Sequence, residues 1–190
     1  MNAFNGTWND EQCFNYEMKN GISVESQSFV NWYKDVANKI IEITQAKSFS
    51  DLGGGVGAYS LNMLPILNKY YDGSKIHCDY VSNFLPSEKI LQGDFTKMAI
   101  DEKELIGCIE VFEHIEDSKL KPFIKTLKAK YIHFSSTPNT TDFDAEWGHI
   151  NIKNENQWIE LFKSCGYELE RKLDFPTAWS LLFIKSKKVK

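Results

Sequence analysis

A chain of 190 residues, 42% hydrophobic and 25% charged, has the make-up of one globular domain whose core needs no covalent staples. Its net charge of -4 argues against a protein that lives on a nucleic-acid backbone, which demands a basic surface. The four cysteines (Cys13, Cys78, Cys108 and Cys165) stand singly, with no CxxC pair and no histidine at ligand spacing. That pattern disfavours a zinc site and fits a reducing compartment.

In chain order, residues 1–25 are polar and aromatic, with Trp8, Phe14 and Tyr16 set among Asn, Asp and Glu. They are expected to form an arm, a short helix or a lid ahead of a single domain over 26–190. The opening residues lack the basic and apolar regions of a signal peptide. No apolar run approaches the roughly 20 residues that span a bilayer, so a cytoplasmic protein without membrane contact is expected. From 26 to 44, Phe29, Tyr33, Val36, Ala37, Ile40, Ile41 and Ile43 recur at three- and four-residue steps and predict an amphipathic helix.

Residues 48–52 read as a short strand that runs into Gly53-Gly54-Gly55-Val56-Gly57. A helix is expected over 58–70, kinked or broken at Pro65. Further strands are predicted at 75–81, 89–95, 105–110 and 130–136, with a helix over 115–128. Cys78 and Cys108 sit in these apolar runs as small hydrophobes, and His77 and His133 read as structural. A long polar loop should cover 139–154. A helix follows over 155–165, stopped by Gly166, and strands at 167–173 and 179–185 should pair antiparallel. The lysine-rich tail, 185–190, reads as a solvated terminus. Alternating strands and helices imply βαβ units and a mostly parallel sheet, with the closing pair placing an antiparallel strand at its edge.

Chemistry concentrates on Asp51-Leu52-Gly53-Gly54-Gly55-Val56-Gly57, between a strand and a helix. Glycines there let the backbone turn tightly and approach a ligand, and the next helix offers free N–H groups. Gly53, Gly55 and Ala58 also satisfy the G-x-G-x-x-A dinucleotide pattern. Asp51 favours a different ligand: a carboxylate beside the crevice repels a diphosphate and suits a cationic ammonium.

Asp51-x-Gly53-x-Gly55-x-Gly57 resembles the first motif of class I S-adenosylmethionine-dependent methyltransferases. Glu110-Val111-Phe112-Glu113-His114-Ile115 resembles the E-V-L-E-H-I segment of members acting on small molecules, including quinones and sugars. The resemblance covers 48–136 and implies a doubly wound α/β fold, a seven-stranded, mostly parallel Rossmann-like sheet. It implies S-adenosylmethionine as cofactor, with Asp51, Gly53, Gly54, Gly55 and Gly57 around the methionine part. Asp79, at the end of the second predicted strand, would hold the ribose. Asp94 and Phe95 would meet the adenine, and Glu110 would also lie at the cofactor.

His114, after the most apolar strand, and His149, in Trp147-Gly148-His149-Ile150-Asn151, are the candidate general bases, with Glu113 as an orienting partner for the base. No metal constellation is visible in the spacing. No Asn-Pro-Pro-Tyr tetrapeptide follows the fourth strand, which favours an oxygen acceptor on a small molecule or glycan unit. Two other readings stay open, a nicotinamide-dependent oxidoreductase and a binding module that holds S-adenosylmethionine without turnover.

Overall fold

The computed structural model describes residues 7–138 and 142–187; residues 1–6, 139–141 and 188–190, the last within the lysine-rich tail, lie outside them. Strands β1 (Phe49–Leu52), β2 (Leu67–Asp72), β3 (Ile90–Gln92), β4 (Leu105–Ile109), β5 (Tyr131–Ser135), β6 (Tyr167–Leu173) and β7 (Ser180–Lys185) form one sheet in the order β3-β2-β1-β4-β5-β7-β6. Neighbours from β3 through β5 pair in parallel, and β7 runs antiparallel to both β5 and β6. Helices α1 (Asp10–Lys19), α2 (Gln27–Thr44), α3 (Ala58–Asn62), α4 (Lys75–Val81), α5 (Asp117–Thr126), α6 (Asp142–Trp147) and α7 (Glu155–Ser164) complete the doubly wound α/β fold. No helix among the described residues is long and apolar enough to cross a membrane.

Successive strand side chains point to opposite faces, and this alternation divides the core in two. On β4, Ile106 and Cys108 enter one cluster, where Leu120, Phe123 and Ile124 of α5 meet Trp158 and Phe162 of α7. Leu105 enters the other, with Val36, Ala37 and Ile40 of α2 and Cys78 and Val81 of α4. All four cysteines are buried and free. Each fully buried Leu, Ile or Phe contributes about 1.5–3 kcal/mol relative to exposure, so the two layers fix the sheet from both sides.

The polar first segment folds because it carries its own start signal. Asn9 and Gln12 form a capping box, each side chain accepting from the other's backbone N–H at 2.9 Å, which satisfies two donors otherwise left unpaired at a helix start. Asn154 and Gln157 do the same for α7.

The second strand lies elsewhere than the sequence pattern predicts. α3 ends at Asn62, the chain turns through Pro65, and β2 occupies Leu67–Asp72. Pro65 lacks an N–H and disfavours helical backbone at the residue before it; buried Tyr70 and Tyr71 are good strand formers. Residues 75–81 are the helix α4, whose buried His77, Cys78 and Val81 follow helical spacing. Within the expected polar loop, Asp142–Trp147 form α6. Other boundaries agree to within a few residues.

Candidate active site

β2 and β3 lie on one side of β1, while β5, β7 and β6 lie on the far side of β4. Connections therefore leave β1 and β4 in opposite directions, and a crevice opens at their carboxyl ends. A cavity of about 1000 Å³ occupies it, lined by Asp51, Gly53, Gly54, Gly55, Asp72, Asp94, Phe95, Glu110, His114, Asp144 and His149 among others. That size is at the upper end of ligand pockets, enough for a nucleoside and a second small molecule.

The glycine loop is held from below. Gly53 and Gly54 donate their N–H groups to the Tyr71 carbonyl at 2.8 and 3.2 Å, and the Tyr70 hydroxyl donates to the Gly55 carbonyl at 2.6 Å. Two glycines make the loop's logic clear. At Gly53, with φ +66°, a Cβ would stand 2.7 Å from both Val111 methyls, whereas at Gly55, with φ +53°, it would meet nothing within 4 Å. Gly53 is thus demanded by packing, and Gly55 turns a bare backbone toward the cavity. Gly57 is packed against Val81, starts α3 and does not line the cavity.

Asp51, on β1 beneath the loop, is 3% exposed. Burial raises its carboxyl from 3.8 to about 7, and the charge of Asp72 adds to this against a bond from Ser60. The Ser60 hydroxyl donates to its Oδ2 at 2.7 Å. A carboxylate stripped of water in this way is stabilised by any cation brought to the cavity.

The acid at the tip of β2 is Asp72, not Asp79. Asp72 accepts the Gly55 N–H at 2.9 Å and the Ser74 N–H at 2.8 Å, so it shapes the glycine loop while lining the cavity. Asp79 lies on α4, 64% exposed and paired with Lys75 one turn away, and it does not line the cavity. Asp94 starts the short turn Phe95–Lys97, accepting from Thr96 N–H and pairing with Lys97 at 2.8 Å. Phe95 is buried beside it against Phe123.

At the opposite end, Glu110 adopts φ +55°. Its N–H donates to the Ser135 carbonyl at 3.0 Å, and its Oε1 accepts from the Ser135 hydroxyl at 2.6 Å. Glu113 is fully buried, and neither carboxyl oxygen has a hydrogen-bond partner among the described residues. Burial, and then the charge of Glu110, push its carboxyl well above the usual range. The Glu113 carbonyl accepts the N–H groups of Ile150 and Asn151, both at 2.9 Å, and Asn151 Nδ2 donates to the Ile115 carbonyl at 3.0 Å. These bonds bring His149 onto His114, ring centroids 4.7 Å apart.

His149 Nδ1 faces Asp144 Oδ1 at 2.9 Å, a partner hidden within the expected loop; Glu113 does not fill that role. Burial holds both imidazoles neutral: His114 falls to about 3, and His149 is also lowered, although Asp144 opposes the shift. The spacing showed no metal constellation, yet the fold brings one donor atom each from Glu113, His114 and His149 within 4.8 Å of one another.

The sequence reading also missed the cavity's outer wall. Glu17 of α1 pairs with His77 at 2.6 Å, the histidine side chain only 1% exposed, and both line the cavity with Phe29, Trp32 and Tyr33 of α2. Trp8 and Tyr16 pack on Trp147, so the first segment touches both the α4 side and the α6 side. His133 is structural: Tyr59 Oη and Nδ1 are 2.9 Å apart, and Nε2 donates to the Phe175 carbonyl at 3.2 Å.

No protein-family model matches the chain, and no curated protein matches it by sequence. Solved structures do match. An S-adenosylmethionine-dependent methyltransferase from Clostridium acetobutylicum superposes with a TM-score of 0.65 at 12% identity, over 92% of this chain and 100% of that one. The mitomycin 7-O-methyltransferase MmcR gives 0.61 at 14%, over 85% of this chain. RosA, the N,N-8-amino-8-demethyl-D-riboflavin dimethyltransferase from Streptomyces davawensis, gives 0.59 at 15%, over 86%. This chain spans 56% of the length of each of the last two. The chain has the fold of the class I S-adenosylmethionine-dependent methyltransferases.

Proposed function

We propose that this protein is an S-adenosylmethionine-dependent methyltransferase that methylates an oxygen of a small molecule or glycan unit. The observation that carries the reading is Asp51: a buried carboxylate at the tip of β1, under a glycine loop with one open face. Its negative charge suits the ammonium of a methionine moiety and opposes the diphosphate of a dinucleotide. Oxygen as the acceptor atom rests on the segment after β4, Glu110-Val111-Phe112-Glu113, where no Asn-Pro-Pro-Tyr tetrapeptide stands.

When bound, the cofactor supplies its sulfonium methyl: the S–CH3 bond breaks as an O–CH3 bond forms in line, leaving a thioether. The chain's part is binding, orientation and handling of one proton. Asp51 holds the ammonium, the bare face of Gly55 lets the methionine part lie against the loop, Asp72 holds the ribose hydroxyls, and Asp94 with Phe95 the adenine. The acceptor hydroxyl lies against Glu110, His114 and His149, which line the cavity. Asp144 takes the Nδ1 hydrogen of His149, so the Nε2 lone pair is the one left to receive the acceptor's proton. Of the first segment, the described part that carries Glu17 and Ile22 lines the cavity and serves as a lid that moves for cofactor exchange.

Calorimetry with S-adenosylhomocysteine and with NAD(H) and NADP(H) tests the reading. The thioether nucleoside should bind and the nicotinamide cofactors should not; the reverse pattern returns the chain to the oxidoreductases. Labelled cofactor with a broad set of hydroxyl acceptors should then give base-stable ether products. Binding with no product in any acceptor class favours the module that only binds.

A further inference from the structure

We infer that Glu17, on α1, is a second carboxylate for the cofactor's ammonium, acting with Asp51, and that it ties closure of the first segment to the amino-acid end of the ligand. This rests on the methyltransferase reading and adds a residue to it. Three observations converge. The first is placement. α1 brings Glu17 to the cavity wall beside His77, which stands in the first turn of α4, just beyond the tip of β2. Glu17 Oε2 and His77 Nε2 are 2.6 Å apart, and the histidine side chain is 1% exposed against 15% for the glutamate. The histidine is thus a buried anchor, and Oε1 is the carboxylate oxygen left for a ligand.

The second observation is the charge around the glycine loop. The Tyr70 hydroxyl, which donates to the Gly55 carbonyl, is pushed well above its ordinary value by burial, then by Asp72, Cys78, Asp51 and Glu17. Tyr33, on the cavity wall, is raised by burial, then by Asp51, Glu110 and Glu17. Both hydroxyls lie in the field of Asp51 and Glu17, so the two carboxylates act on one stretch of the cavity, at the bare face of Gly55. Three acids, Glu17, Asp51 and Asp72, meet one histidine there, and Lys75 is engaged by Asp79. A cation that enters with the ligand is stabilised by that surplus.

The third observation is how lightly α1 is held. Cys13 is its buried residue, and Phe14 packs edge-on against His77 and Tyr80 at 5.4 and 5.3 Å. The ring that anchors Glu17 is therefore also the ring that docks the helix. On the other side Trp8 and Tyr16 rest on Trp147 of α6, the helix whose Asp144 engages His149. A segment with so few buried apolar contacts opens at low cost. An ammonium held by Glu17 is held only in the closed form, so it shifts the segment toward closure by that difference in affinity. A nucleoside without the amino-acid end leaves the segment as free to open as it is in the empty protein.

The test compares, by calorimetry on the full chain, S-adenosylhomocysteine with methylthioadenosine, which keeps the nucleoside and thioether but lacks the amino-acid end. Glu17→Gln should weaken S-adenosylhomocysteine by about tenfold or more and change methylthioadenosine by less than about twofold. The substitution also removes a negative charge, which by itself favours the ligand's carboxylate, so a loss reports the ammonium. His77→Gln breaks the pair but keeps the Glu17 charge, and should cost S-adenosylhomocysteine less than Glu17→Gln does. Equal losses for both ligands point to the ribose or to structure alone and overturn the inference, as does unchanged affinity for S-adenosylhomocysteine. Trypsin cleavage of the parent after Lys19 carries the test even if Glu17→Gln does not fold. Saturating S-adenosylhomocysteine should slow it by about fivefold or more, and saturating methylthioadenosine should not; equal protection overturns the coupling. A parent chain that binds neither nucleoside removes the methyltransferase reading and this inference with it. Binding of both, in a ratio that Glu17→Gln does not move, removes only the role of Glu17.

Discussion

Replacing Asp51 by Asn should weaken the cofactor and strengthen the empty protein. The change keeps the size of the side chain and an oxygen able to accept from Ser60, but removes the charge that faces the ligand's ammonium. Losing one partner of a buried charged pair costs about 2–5 kcal/mol; about 3 kcal/mol is roughly a hundredfold in the dissociation constant of S-adenosylhomocysteine. The opposite sign applies to stability. The Asp51 carboxyl rises from 3.8 to about 7 on folding, which at neutral pH sets an upper bound of about 4 kcal/mol on the cost of ionising it in place. Relaxation leaves about 1–3 kcal/mol to recover, or several degrees of melting temperature for a chain of this size.

The pH dependence follows from the same shift. Below about pH 4 both folded and unfolded chains hold the proton and the cost vanishes. It grows as pH rises from about 4 to 7, where the folded protein retains a proton the unfolded chain has lost, and is constant above. The melting-temperature advantage of Asp51→Asn over the parent should therefore be near zero at pH 4 and complete by about pH 7.5. Calorimetry with S-adenosylhomocysteine and thermal melts across that range measure both halves. A variant that binds as tightly as the parent, or melts lower than it at neutral pH, refutes the argument.

Asp72→Asn should weaken S-adenosylhomocysteine by about 10- to 100-fold, because it disturbs both the ribose subsite and the Gly55 anchor; Asp79→Asn should leave the dissociation constant unchanged. Gly55→Ala should cost about 1–2 kcal/mol of stability from its positive φ and abolish binding by filling open space. Gly53→Ala, whose Cβ collides with Val111, should lower the melting temperature more, and a melt comparison of the two orders them. Glu17→Gln should cost about 3 kcal/mol at pH 6. Against the cost of burial, Glu17 raises the pKa of His77. The contribution is full below the ordinary histidine range and fades as pH rises through the folded value. The melting gap between Glu17→Gln and the parent should therefore shrink toward pH 9.

What the sequence made legible was contiguous. Asp51 through Gly57, and Glu110 through Ile115, each sit on one strand tip, so spacing alone puts them at the crevice. The alternating apolar runs gave the sheet and its reversed strand for the same reason. Asp72 was hidden because Leu67–Asp72 interrupts its apolar period with Asn68 and Lys69, while 75–81 has enough apolar residues to pass for a strand. Pro65 was the available signal: taken as the end of a helix rather than a kink, it leaves room for β2 and a nearer acid. Glu113 meets the Asp144–His149 pair through backbone bonds from Ile150 and Asn151 across more than 35 positions, and Glu17 reaches His77 over 60. Neither pairing has a periodic signature. The Asn9–Gln12 capping box was legible in principle, but it precedes a segment with a weak apolar face.

Glu110 holds a backbone conformation that glycine adopts freely and other residues reach at a cost of roughly 1–3 kcal/mol. The Ser135 strand end grips it by both its N–H and its carboxylate. Any scheme that ranks substitutions by thermal robustness will therefore nominate glycine here, and the resulting protein should melt higher. It would also have traded away a carboxylate at the mouth of β4, so this position is one where improving the scaffold and preserving the chemistry pull the choice of residue in opposite directions.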